Sequence, residues 1–333
     1  MTRGICTIIT AYQAEATIAA AVRSALAQPQ VAEVIVVDDA SGDATAERVL
    51  EVAATDAVPD GRLKLLRNAT NLGPAVGRNR AIAASQAPLI AILDADDYFL
   101  PDRFAHLEGA QDWDMKADNI VFVPDTAPPL GPDALPEAQP QSWPLSLEAF
   151  VRGNLSDQGR GDRGELGFLK PVMSRAFLDA HGLRYDERLW LGEDFDLYVR
   201  MLQCGARFMV TSQCGYVARV RAASLSGAHR TRDLAALIAA CEGHLERAAP
   251  ADPARPVLQA HLDDLRGRYY LRRFLDVKAA QGLGAACRYA LASRLRAHPI
   301  LRGLAHDKLW RPFRPPAVAT GPRLLLGAQG PHA

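Results

Sequence analysis

The stretch Leu89-Ile90-Ala91-Ile92-Leu93-Asp94-Ala95-Asp96-Asp97 constrains this chain more than any other. An apolar run stops abruptly at clustered carboxylates. That pattern predicts a buried parallel strand over Leu89–Leu93 whose C-terminal end meets solvent. In open α/β sheets ligands bind at that end of the strands. Asp94, Asp96 and Asp97 repel one another unless a cation or a proton intervenes. A hard divalent ion, Mg²⁺ or Mn²⁺, satisfies such oxygens and leaves room for phosphate oxygens. The plain alternative is an Asp-rich turn capping a helix at Pro101. The context favours the ligand reading, because three earlier strand ends share the arrangement.

Strand and helix patterns alternate through the N-terminal half. Strands are expected at Ile5–Thr10, Val34–Val37, Leu63–Leu66 and Leu89–Leu93. Helices are expected at Ala16–Ala27, Thr45–Ala54 and Val76–Ser85. Repeated strand-helix units imply an α/β fold, a parallel sheet with helices on both faces. Residues 124–144 carry seven prolines and read as a loop. Further helices are expected at Leu147–Gly153, Ser174–His181 and Glu193–Cys204, with strands at Arg207–Thr211 and Tyr216–Val220. From Asp233 the composition is helical, and Leu258, Leu262, Leu265 and Tyr269 share one helical face. We therefore divide the chain into a domain at 1–232, a basic helical extension at 233–314 and a flexible tail at 315–333.

Composition excludes several classes. The hydrophobic content of 49% supports a sizeable core. The five cysteines form no CxxC pair, so neither a disulfide framework nor a zinc site is expected. The first strand begins by Gly4, which leaves no room for a signal peptide. No run of about 18 apolar residues predicts a transmembrane helix. The net charge is zero, yet residues 252–323 hold 14 Lys or Arg against 5 Asp, a balance of +9. Such asymmetry fits an anionic partner, a membrane surface or a diphosphate, as well as it fits a solvated helical region. No nucleic-acid partner is expected.

Other strand ends add candidate residues. Thr10-Ala11-Tyr12 closes the first strand, and Asp38-Asp39 closes the second. A carboxylate there can accept the ring N–H of uracil, and an aromatic ring can stack on the base. Asp43 suits a helix cap better. Arg78 opens the helix before the acidic strand, where it can reach a diphosphate or simply lie on the surface. The second acidic cluster is Glu193-Asp194-Phe195-Asp196, at a helix start that the macrodipole favours. Asp194 could equally face the cleft as a general base. Trp190 beside it is either a sugar platform or core.

Four motifs in order, VVDDASGDAT, NLGPAVGRNRAIAAS, AILDADD and GEDFDLYVR, resemble the pattern of family 2 glycosyltransferases of the GT-A fold. The resemblance covers roughly residues 4–230. KPVMSRAFLDAHGLRYDERL and YVARVRAASLS are similar to bacterial exopolysaccharide enzymes of the succinoglycan-biosynthesis type. The resemblance implies a GT-A sheet followed by the helical extension. It implies that Thr10, Ala11, Tyr12, Asp39 and Arg78 contact the nucleotide. Asp94 would lie near the ribose and metal, Asp96 would be the direct metal ligand, and Asp194 would be the catalytic base. Glu193 would bond the loop backbone or the acceptor, with Trp190 near the acceptor. Many relatives carry a His after the late YxxR strand. Here Arg219 and Arg221 stand near that place and are assigned to the diphosphate.

The expected activity is metal-dependent, inverting transfer of a hexose from a nucleotide sugar, UDP-glucose by the resemblance, to a hydroxyl of a growing exopolysaccharide. The acceptor would be an oligosaccharide on a lipid diphosphate. The expected place is the cytoplasm, peripheral on the inner face of the plasma membrane. A dehydrogenase would need a GxGxxG after the first strand, which is missing. A nucleotidyltransferase would carry a Gly-rich loop there, whereas Ala11–Glu15 has no glycine. A non-catalytic nucleotide-sugar-binding protein would have no need of both acidic clusters.

Overall fold

Parallel strands β1 (Ile5–Ala11), β2 (Val31–Asp38), β3 (Leu63–Arg67) and β4 (Leu89–Asp94) form in the order β3-β2-β1-β4. The computed structural model describes residues 4–107, 112–131, 135, 141–155, 166–220, 230–305 and 321–326. The strands read as near-continuous apolar runs because both faces are covered. Cys6, Ile8, Ile35, Val37, Ile90 and Ile92 enter one buried cluster. Their alternating neighbours Ile5, Ile9, Val34, Val36, Leu89, Ala91 and Leu93 enter another. Helices α1 (Ile18–Leu26) and α2 (Thr45–Thr55) cover this second face through Ile18, Val22, Val49 and Val52. Helix α3 (Pro74–Ala84) packs on the first face. These elements lie where the sequence pattern expects them.

Beyond β4 the sheet becomes mixed. The strand β5 (Tyr98–Phe99) precedes β6 (Met115–Pro124) and β7 (Ser142–Pro144). Then follow helix α4 (Leu147–Arg152), strand β8 (Val172–Ser174), helices α5 (Arg175–Ala180) and α6 (Glu193–Gln203), and strand β9 (Phe208–Val220). β8 joins β4 to β6 antiparallel to both, and β9 runs parallel to β6. β7 and β5 pair antiparallel with β9. The two strands expected near 207–220 are thus one strand, with irregular pairing around Asn119.

β6 escapes the sequence pattern because polar residues occupy its middle. Asp118 is buried and accepts from the Arg103 guanidinium, Nη2 to Oδ1 at 2.8 Å. Arg103 is itself buried among Phe99, Phe104 and Tyr216. Each charge tolerates burial because the other is there. Asn119 hydrogen-bonds Leu326 through both main-chain groups, at 3.0 and 2.8 Å.

Helices α7 (Thr231–Arg247), α8 (Arg255–Leu291) and α9 (Arg294–Ala305) follow. α7 and the first half of α8 insert Leu234, Leu237, Leu258, Leu262 and Leu265 into the same core as α4 and α6. The distal half of α8 packs with α9 around Phe274, Val277, Ala286 and Ile300, a separate small cluster. Gly282, with φ of 82°, breaks α8 within this distal half, and α9 lies beside the part of α8 before the break, Pro299 against Gly267 and Gly303 against Leu271. Of the tail expected to be flexible, residues 321–326 are described. Residues 323–324 form β10 (Arg323–Leu324), antiparallel on β6, and Leu326 is buried in the main core. The apolar run Leu324-Leu325-Leu326 supplies the burial that its Pro- and Gly-rich surroundings conceal.

Candidate active site

The adjacent strands β2, β1 and β4 end together. Thr10 pairs with Val37 on one side and with Asp94 on the other. α1 leaves this edge over one face of the sheet and α3 packs on the opposite face, so a crevice opens at the switch point. Tyr12 stands at its mouth with 50% of its surface exposed. Thr10 lies under α3, and Ala11 is buried in the sheet.

The second strand end is held by its own carboxylates. Asp38 is fully buried, accepting from Ser41 N at 3.0 Å and Arg67 Nε at 3.1 Å. Asp39 accepts from Asn68 Nδ2 at 2.7 Å, Leu72 N at 2.9 Å and Gly73 N at 2.8 Å. Through these three bonds Asp39 fixes the Asn71–Gly73 loop. Asp43 accepts from Thr45 N at 3.1 Å and Glu15 N at 3.2 Å, bracing the loop before α2, whose N-cap position is Ala44. Trp190 lies against Gly73, whose φ is 87°, and the Arg232 guanidinium sits 5.7 Å from its ring.

The acidic strand end and the second acidic cluster meet on buried cations. Arg78 Nη1 donates to Glu193 Oε1 at 2.5 Å and to Asp194 Oδ1 at 2.9 Å, while Nη2 donates to Asp94 Oδ1 at 3.2 Å. Lys170 Nζ lies 2.8 Å from Asp194 Oδ2 and 3.0 Å from Asp94 Oδ2. Two cations therefore face three carboxylates in a buried setting. Glu193 and Asp194 begin α6, where acids complement the helix dipole. Gly192 turns the chain into that helix with φ of 75°, and its bare Cα lies against Leu237 of α7.

Electrostatics follow from this packing. Burial disfavours charge on Lys170, but the Asp194 and Asp94 carboxylates overcome it and hold the ammonium above its ordinary range. Burial raises Glu193 above the usual carboxylate range, against the pull of Arg78. Burial also raises Asp97 well above that range, and the neighbouring Asp94 and Asp96 add to it. Asp97 is a structural member of the acidic turn. It accepts from Tyr216 Oη at 2.7 Å and Arg219 N at 2.8 Å, tying β9 to the end of β4.

Among the described residues no three His, Cys, Asp or Glu side chains gather as a metal cage. Mg²⁺-type sites commonly use one or two carboxylates and complete their shell with water and substrate phosphates. Asp94, one-third exposed, and the half-buried Asp96 are hard oxygen donors of that kind. The donor set fits a divalent cation, and a cation would relieve the crowding of negative charge at this turn.

The structure thus joins Asp94, Arg78, Glu193 and Asp194 directly, with Tyr12, Asp39 and Trp190 around the same crevice. The Arg219 guanidinium goes elsewhere, to the Asp125 carbonyl at 2.9 Å and over the Tyr98 ring. Arg221 lies outside the described residues. Sequence reasoning missed Lys170. Its signal was a lysine inside the apolar run Phe168-Leu169-Lys170-Pro171-Val172, since a buried ammonium needs carboxylate partners.

The Glycosyl transferase family 2 model matches residues 6–156. The chain is 47% identical over 311 residues to the succinoglycan biosynthesis protein ExoU of Rhizobium meliloti, covering 93% of this chain and 89% of that one. Its fold is similar to Staphylococcus aureus TarS 1–349 in complex with UDP-GlcNAc, with a TM-score of 0.58, 18% identity and 93% of each chain covered. It is also similar to the mannosyltransferase PcManGT of Pyrobaculum calidifontis in complex with GDP-Man and Mn²⁺. There the TM-score is 0.53 at 17% identity, over 92% of this chain and 87% of that one. The fold is the expected GT-A arrangement with C-terminal helices.

Proposed function

The chain belongs to glycosyl transferase family 2, and from that premise we propose that it moves a hexose from UDP-glucose to a hydroxyl of a growing, lipid-linked exopolysaccharide. Family membership sets aside the dehydrogenase and nucleotidyltransferase readings. The likeness to a succinoglycan biosynthesis protein supports the exopolysaccharide assignment. The observation that carries the mechanism is the buried cluster in which Arg78 joins Asp94 to Glu193 and Asp194, 115 and 116 residues away along the chain.

Tyr12 offers its ring to the base, and Asp39 its carboxylate. Asp94 and Asp96 would hold Mn²⁺ or Mg²⁺, which when bound supplies positive charge against the donor diphosphate. Arg78 sits beside these carboxylates and can add its own charge to the departing group. Asp194 is the base. As the acceptor oxygen bonds to the anomeric carbon, the bond to the diphosphate oxygen breaks. Asp194 takes the hydroxyl proton, UDP leaves, and the configuration inverts. Both Asp194 oxygens are engaged, one by Arg78 and one by Lys170. One must be released to the acceptor, and a diphosphate competing for Arg78 provides the means. Glu193 shares Arg78 and Trp190 borders the crevice, which suits them to position the acceptor.

We also propose that the protein works on the inner face of the plasma membrane. No helix among the described residues is long and apolar enough to cross a bilayer. The +9 balance over residues 252–323 supports contact with an anionic surface. Turnover of UDP-glucose with Mn²⁺ and a lipid-linked acceptor tests the catalytic reading. Asp194→Asn should lower kcat by about 10²–10⁴-fold while UDP affinity hardly changes. Near-normal turnover of that variant at saturating acceptor would show that another group is the base.

A further inference from the structure

The turn that joins α8 to α9 forms a tip that the catalytic reading leaves unused. α8 reverses into α9 around Leu291–Arg294, and Leu291 and Leu295 are 79% and 77% exposed. Among the described residues no large apolar side chain is more exposed. Leu283 and Leu301, on the same two helices, are exposed as well. Looseness of the hairpin does not explain this. Phe274, Val277, Ala286 and Ile300 are buried between the helices, and Gly303 is closely packed by Leu271. The arrangement leaves outward leucines on an otherwise well-packed support.

The charge along this stretch of chain is of one sign. From Val277 to Ala305 the chain carries Lys278, Arg288, Arg294, Arg296 and Arg302 and no Asp or Glu. Arg288, Arg294 and Arg296 flank the tip itself. Arg296 lies 4.8 Å from the Tyr289 ring, which brings an aromatic group and a cation to the same end of the hairpin. Exposed leucines with these cations next to them along the chain complement a surface of anionic headgroups over an apolar layer. An acidic protein partner would match the charge but would not require the leucines to project at a tip.

We infer that the α8–α9 tip is a membrane-docking element, in which Leu291 and Leu295 enter the lipid interface and Arg288, Arg294 and Arg296 engage anionic headgroups. This rests on the membrane location proposed above and is independent of the transfer chemistry. It assigns that location to one end of one hairpin rather than to the basic region as a whole.

Co-sedimentation of the full chain with neutral phosphatidylcholine vesicles, and with vesicles containing phosphatidylglycerol, tests it. The wild type should bind the anionic vesicles and release them at high salt. Leu291→Ser combined with Leu295→Ser should weaken that binding by about tenfold or more, with an unchanged thermal melt and unchanged UDP-glucose hydrolysis. Arg294→Gln with Arg296→Gln should reduce the salt dependence. If the wild type binds and the leucine variant binds equally well, the tip assignment falls while the membrane location stands. If the wild type binds neither vesicle at low salt, both fall.

Discussion

Replacing Lys170 by methionine should leave one cation against three carboxylates, a cluster that must take up a proton. Lys170 Nζ contacts Asp194 Oδ2 at 2.8 Å and Asp94 Oδ2 at 3.0 Å in a buried position. Without it, the Arg78 guanidinium alone faces Asp94, Glu193 and Asp194. Leaving a buried charge without its partner costs about 3–5 kcal/mol. At about 1.4 kcal/mol per pH unit, protonation becomes the cheaper outcome over about 2–4 units. A base must be deprotonated to work, so activity is lost on the acid side and regained as pH rises. The acid limb of the kcat profile should therefore move upward by about 2–4 pH units relative to wild type. On the acid side the variant should turn over more slowly than wild type, and the gap should close as pH rises. The assay is UDP release with saturating donor and acceptor from pH 5 to 9. An acid limb that stays in place, or a loss of kcat equal at every pH, would refute the electrostatic role assigned to Lys170.

Two further outcomes follow from the same structure. UDP binding measured by calorimetry should be tighter with Mn²⁺ than without it, and Asp96→Ala should make the two affinities equal; equal wild-type affinities would remove the metal role. Burial, helped by Arg268 and His244, pushes the His261 imidazole down to about 3. The folded state keeps it neutral while the unfolded chain protonates it below about 6.5. Its contribution is therefore complete above pH 6.5 and is lost as pH falls toward 3, by up to about 1.4 kcal/mol per unit. His261→Phe, which preserves the stack on Phe195, should flatten the decline in urea midpoint between pH 6.5 and 4; an unchanged slope would count against it.

The sequence exposes those parts of the molecule whose burial is apolar and local. β1, β2 and β4 are legible because both faces of each strand are covered, leaving almost no polar interruption. The acidic ends of β4 and α6 are legible because runs of carboxylate are conspicuous. Their meeting on Arg78 is not, since it depends on pairings more than 100 residues apart. Lys170 and Arg103 stay hidden for a related reason. Each is a cation made burial-tolerant by acids distant in sequence, so its surroundings cannot be inferred from its neighbours. β6 is concealed by Asp118 and Asn119, whose partners are Arg103 and Leu326. Arg219 shows the converse: it stands where the motif suggests, but its guanidinium turns to Asp125.

The pairing of β10 with β6 bears on how the chain is made. Asn119 and Leu326 are 207 residues apart, and their bonds close one flank of a central strand. During synthesis the part of that flank beyond β8 stays open until residues 323–326 have emerged. An unpaired flank beside apolar residues is a template for association with other chains. The last described residues thus act as a closing stitch, and a ribosome that stalls within the helical region would release a protein with its catalytic crevice encoded and its sheet still open.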